Sequence, residues 1–87
     1  MWRGMNYELS QHAKNVLAER DIPVAWLERV LDSPVWTEPD AGDVELEHRL
    51  GIIAEHGDRV LRVVINKEAN PVRIVTLYFD RTMKGKL

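Results

Sequence analysis

"VELEHRLGIIAEHGDRVLRVVIN", residues 44–66, is the stretch on which the fold turns, because the hydrophobic period changes there. Val44, Leu46, His48, Leu50, Ile52 and Ala54 alternate with Glu45, Glu47, Arg49, Gly51, Ile53 and Glu55. A period of two predicts a long strand with one buried face. Gly57 and Asp58 supply a turn, and the β-branched run "RVLRVVIN" (59–66) is predicted to return antiparallel to it. In the simplest register Arg62 lies opposite Ile53, while Leu61, Val63 and Ile65 lie opposite Ala54, Ile52 and Leu50. The second set is the expected core, and Arg49 and Arg62 then share the other face. A one-residue slip would swap the faces.

Working outward toward the N-terminus, the period is helical. Leu9, Ala13, Val16 and Leu17 form one stripe behind Ser10, a natural N-cap, predicting a helix over about 10–20. Pro23 suits a first helical position, and Leu27, Val30 and Leu31 form a second stripe that Ser33-Pro34 must end, predicting a helix over about 23–32. "DSPVWTEPDAGD" (32–43) reads as a short extended piece and a loop. Toward the C-terminus, a turn at Glu68 to Pro71 leads into "NPVRIVTLYFDR" (70–81), a third strand with Val75, Leu77 and Phe79 on one face and Ile74 and Tyr78 on the other. The predicted fold class is α+β, two N-terminal helices packed on an antiparallel meander of three to four strands. Leu17, Leu27 and Leu31 are expected to join Ile52, Leu61, Val63 and Ile65 in its core. At 87 residues the chain is expected to be one domain, with 1–6 and 82–87 as flexible ends. The apolar second face of the third strand calls for cover by a terminus or a partner chain, a homodimer being one way to supply it.

Composition narrows the function classes. No tract is long enough to span a membrane and no secretory h-region opens the chain, so a soluble, cytoplasmic protein is expected. The absence of cysteine removes disulfides, thiolate ligands and a thiol nucleophile, and no cofactor is expected. His12, His48 and His56 lack the spacing of a metal motif. The net charge of −2 conceals an asymmetry: residues 1–44 hold eight acids and four bases, residues 45–87 six acids and eight bases. The second half is the anion-facing half, although a dedicated nucleic-acid binder usually carries a net basic excess.

The strings "YELSQHAKNVLAERDIP", "VLDSP", "LRVVIN" and "VRIVTLYFDR" resemble the domain of unknown function family 4258, a set of small bacterial proteins. Tyr7, Ser10, His12, Ala13, Glu19, Arg20, Ile22, Thr76 and Tyr78 match the family's pattern over about residues 7–81. Val16, Asp21 and Arg62 stand where the family often has arginine, glycine and histidine. The family is similar in element order to ribonuclease toxins of the RelE type, an analogy of fold that does not assign activity.

Four residues are candidates for a catalytic site: His12, Arg20, Arg62 and Tyr78. A histidine in the first turn of a helix can serve as general acid or base near neutral pH, or can simply bond a strand carbonyl. Arg20 can hold a phosphate or complement the helix C-terminus. Arg62, with Arg49, can clamp a phosphate or pair with Glu45, Glu47 and Glu55. Tyr78 can stack on a base or remain an amphipathic strand residue. His48, on the strand's apolar side, reads best as a satisfied core histidine. Two functional classes therefore stand: a metal-independent ribonuclease of toxin type, with RNA as substrate and an antitoxin as partner, and a non-catalytic interaction or immunity-like domain. The layout of His12, Arg62 and Tyr78 discriminates between them.

Overall fold

In a computed structural model, which describes residues 6–87, a five-stranded sheet carries two helices on one face. The elements run β1 (Tyr7–Leu9), α1 (Gln11–Glu19), α2 (Val24–Asp32), β2 (Trp36–Pro39), β3 (Leu46–Ile53), β4 (Arg59–Asn66) and β5 (Val72–Phe79). The sheet order is β1-β5-β4-β3-β2, with β1 parallel to β5 and the other neighbours antiparallel. The fold class is α+β, and the strands number five rather than three or four. The additions are the two edges. β1 is three residues long, too short for a period to show, and β2 is the extended piece before the 40–43 loop. The expectation of a flexible start falls mostly on residues 1–5, which lie outside the described residues.

Both helices form where the stripes place them. Ser10 caps α1 by accepting from the Ala13 amide at 3.0 Å. Pro23 caps α2 with an extended backbone rather than opening its first turn. Ala13 and Ile22 join Leu27, Val30 and Leu31 of α2 in a core closed by Ile53, Leu61, Val63, Ile65, Ile74 and Leu77. Leu17, expected inside, is only partly buried at its margin.

The β3–β4 register departs from the simplest hairpin. Ala54–His56 form a 3-10 turn before Gly57 and Asp58, both left-handed at φ +69° and +58°, so Ile53 pairs with Arg59 and Arg62 with Leu50. The turn shifts the pairing from Arg62–Ile53 by three residues, an odd number, and every face on β3 changes. Gly51 and Ile53 face the helices, while Leu50 and Ile52 lie on the other side with Arg62; Ile52 is only partly buried there. Arg49 and Arg62 are separated too: Arg49 donates to the Leu31 carbonyl of α2 at 2.9 Å. Gly51 is required by that approach, since a Cβ there would stand 2.8 Å from Val30 Cγ2. A second irregularity between Val64 and Ile65 gives β5 an extra residue, so that Ile74 and Leu77, three apart, both reach the core. Ile74 therefore does not share the face of Tyr78, as strict alternation predicted.

The face away from the helices is also closed in part. Leu50, Val60 and Val64 are buried on it, around an Arg62 only 8 % exposed, whereas Trp36 and Tyr78 are about half exposed. No helix among the described residues is long and apolar enough to cross a membrane.

Candidate active site

A groove of ≈ 450 Å³ runs between α1 and the C-terminal half of β5. Its position follows from the shortness of β1. That strand pairs with β5 only as far as Ile74, so Thr76–Phe79 have no strand beyond them, and α1 lies alongside instead. Ser10 fixes the helix there. Its amide donates to the Ile74 carbonyl at 3.0 Å, and its hydroxyl donates to the Val75 carbonyl at 2.7 Å while capping α1. His12, two residues on, thereby lines the groove along with Thr76 and Tyr78. His12, Val16 and Glu19 recur at i, i+4 and i+7, one face of α1, and Arg20 follows as its C-cap. All four line the groove with Thr76, Tyr78, Arg59 and Arg81.

Three of the four candidate residues thus share one concave surface: His12, Arg20 and Tyr78. The groove also takes Arg59 and Arg81, which the sequence did not single out because they come from the first residue of β4 and from the 3-10 turn after β5. The basic excess of the second half was the available signal. Neither the His12 ring nor the Tyr78 hydroxyl forms a hydrogen bond with a described residue. Arg59 approaches His56 Nε2 at 3.4 Å, and His56 packs between Trp26 and Phe79 with ring centroids 5.3 and 5.0 Å away.

Arg62 is elsewhere. It stands next to Tyr78 in the β4–β5 register, yet its guanidinium turns toward β2, β3 and the end of β5. It meets Asp80 at 2.8 Å and Glu38 at 3.2 Å, and donates to His48 Nδ1 at 2.8 Å. Burial works against its charge, but the hydrogen bonds to Asp80 and Glu38 outweigh that and raise its pKa. His48 Nε2 lies 2.7 Å from Asp40. Because arginine only donates, Nδ1 is the accepting nitrogen and Nε2 carries the proton given to Asp40. His48 is therefore a satisfied, half-buried histidine on the face away from the helices.

The arginines consequently fall into two groups. Arg29, Arg49, Arg62 and Arg73 are ion-paired to Glu55, Glu47, Asp80 with Glu38, and Glu8. Among the described residues, Arg20, Arg59 and Arg81 have no ion pair, and all three line the groove. Among the described residues Glu19 is the only acid that lines it. No three His, Asp or Glu side chains of the described residues converge as metal ligands.

The family model "Domain of unknown function (DUF4258)" matches residues 9–79. The chain belongs to this family. The matched span runs from the residue before the Ser10 cap to the last residue of β5, so it contains α1, Arg62 with its partners Glu38 and His48, and the strand side of the groove, while Asp80 falls just outside it. Arg81 and the turn that carries it lie beyond the match. No curated protein and no solved structure matches the chain.

Proposed function

We propose that the protein is a ribonuclease of toxin type that cleaves RNA phosphodiesters in the His12 groove. The observation that supports it best is the sorting of the arginines: those without an acidic partner surround one histidine and one tyrosine in a concave site. A tetrahedral array of phosphate oxygens gathers charge as it is attacked, and preorganised cations are what lower that barrier. In this reading His12 accepts the proton of the ribose 2'-hydroxyl as its oxygen bonds to phosphorus. The bond from phosphorus to the 5'-oxygen breaks, that oxygen takes a proton from the Tyr78 hydroxyl, and solvent restores both side chains. Arg20, Arg59 and Arg81 hold the phosphate oxygens. Arg62 keeps the neighbouring strands in place and contributes no charge to the substrate, since Asp80 and Glu38 already neutralise it.

The test is cleavage of an end-labelled single-stranded RNA by wild type, His12→Ala, Arg20→Ala and Lys67→Ala, with thermal unfolding of each. His12→Ala is expected to lose about 100-fold or more in rate at an unchanged melting temperature. Lys67, in the β4–β5 turn away from the groove, is the charge control and should change nothing. A wild type that cleaves no RNA, or a His12→Ala protein as active as wild type, overturns the proposal. The half-exposed Trp36 and Tyr78 favour a partner-protein reading in that case.

A further inference from the structure

Beside the groove lies a second cavity of ≈ 290 Å³, lined by Arg59, Val60, Phe79, Asp80, Arg81 and Lys84. Arg59, Phe79 and Arg81 line both, so the two are neighbours at the end of β5. The ribonuclease reading accounts for the first chamber and leaves the second without a role. Its charge is set by what Asp80 already does. That carboxylate takes Arg62 at 2.8 Å, the Thr82 hydroxyl at 2.6 Å and the Thr82 amide at 3.0 Å. Even with its charge counted in full, Arg59, Arg81 and Lys84 leave the chamber with a positive excess. Val60 and Phe79 add apolar wall beside those cations. Cations beside an aromatic and an aliphatic surface suit a sugar-phosphate backbone whose base is unstacked, as in a single strand.

We propose that the second cavity binds the phosphate of the nucleotide adjacent to the one held at His12, with Lys84 as its own cation and Arg59 and Arg81 shared between two consecutive phosphates. This rests on the reading of the groove as an RNA site and extends it: the ligand is a single strand engaged at two successive phosphates, so a dinucleotide with one phosphate fills only one of the two cavities.

Binding is separable from cleavage by using all-2'-deoxy oligonucleotides, which lack the attacking hydroxyl. Fluorescence anisotropy at low salt would compare a labelled dinucleotide carrying one phosphate with a tetranucleotide carrying three. Wild type should bind the tetranucleotide at least about ten-fold more tightly. Lys84→Ala should weaken the tetranucleotide by about three- to ten-fold, change the dinucleotide less than about two-fold, and reduce the slope of log K against log salt by about 0.7, one phosphate's worth on a single strand. Lys67→Ala should change neither. Equal losses on both oligonucleotides, or a Lys84→Ala effect no larger than that of Lys67→Ala, overturns the second site. Wild type that binds the tetranucleotide in this pattern but cleaves no RNA overturns the catalytic reading and leaves the two-phosphate site standing. Failure to bind either oligonucleotide overturns both.

Discussion

Arg62 with His48, on the face away from the helices, and Arg20, Arg59 and Arg81 with His12, along the edge of β5, are built from the same residue types and differ in what surrounds them. The first cluster holds three acids, Glu38, Asp40 and Asp80, each within hydrogen-bonding distance of an arginine or histidine. Among the described residues the second holds Glu19 alone, with no ion pair to its arginines. Charge in the first cluster is spent on holding β2, β3, β4 and the end of β5 together; in the second it is left facing solvent and whatever anion arrives. Whether arginine and histidine form a structural joint or are left without ionic partners depends on where the acids fall, and these come from β2, the loop after it and the residue after β5 in the first case and from α1 in the second.

Breaking the first cluster should produce the largest loss of stability. Arg62→Ala strands the Asp80 carboxylate, 12 % exposed in its side chain, and removes the donor to His48, so it should cost about 3 kcal/mol in chemical denaturation. A loss below about 1 kcal/mol would show the network to be ornamental. The same cluster contributes to the protein's acid sensitivity, as does Glu55, whose pKa the hydrogen bond from Arg29 lowers to about 2. Hydrogen bonds from Trp36 and Arg62 hold Glu38 below the usual carboxylate range, His48 does so for Asp40, and Thr82 with Arg62 does so for Asp80. A depressed folded-state pKa stabilises above the unfolded value and is lost as pH falls through the folded one. Wild type should therefore lose stability below about pH 4, and the wild-type and Arg62→Ala curves should converge there.

Most of the architecture is legible in the sequence. The stripes gave both helices, and the period change at Val44 gave β3 and β4. Faces were not, because they depend on parity. The 3-10 turn at Ala54–His56 and the extra residue in β5 each shift alternation, and neither has a hydrophobic signature. That is why Arg49 was expected beside Arg62 and Ile74 beside Tyr78. The candidate site was legible where one helix face carries it, at His12 and Arg20. Arg59 and Arg81 were not, since neither belongs to a periodic run: one opens β4 after the Gly57-Asp58 turn and the other lies in the 3-10 turn after β5.

The second region can be sharpened at its anchor. Ser10 both caps α1 and ties it to β5, so Ser10→Ala should cost about 2 kcal/mol, more than a cap alone, and Ser10→Thr should recover most of it. Because the same bonds fix the start of α1, where His12 sits, the proposed ribonuclease reading predicts that Ser10→Ala also lowers the rate of RNA cleavage at a temperature where the variant is fully folded. An unchanged rate would detach the cap from the site.

A smaller effect is expected at the far end of β1. The Tyr7 hydroxyl donates to Glu28 Oε2 at 2.8 Å, joining β1 to α2. Burial, and then this hydrogen bond to a carboxylate, push the phenol up to about 12. A raised pKa favours the protonated folded form, so its contribution is complete below the ordinary tyrosine value of about 10 and disappears as pH rises to about 12. Tyr7→Phe should cost about 1 kcal/mol at neutral pH and should flatten the stability curve across that alkaline window. A parallel offset of the two curves would assign the loss to packing.

The smallest expected change in stability is the one that most directly tests the contrast between the clusters. Arg20→Ala and Arg81→Ala remove exposed cations with no ionic partner among the described residues, so each should shift stability by less than about 0.5 kcal/mol, against about 3 kcal/mol for Arg62. Arg20 is the α1 C-cap, where a cation interacts favourably with the helix dipole, and any loss it does show should fade with added salt. Arg81 follows Asp80 in the turn after β5 and has no such role. Two near-silent substitutions that nonetheless weaken oligonucleotide binding would mark charge held for a ligand; a loss above 1 kcal/mol at either position would mean that the groove's arginines, like Arg62, serve the fold.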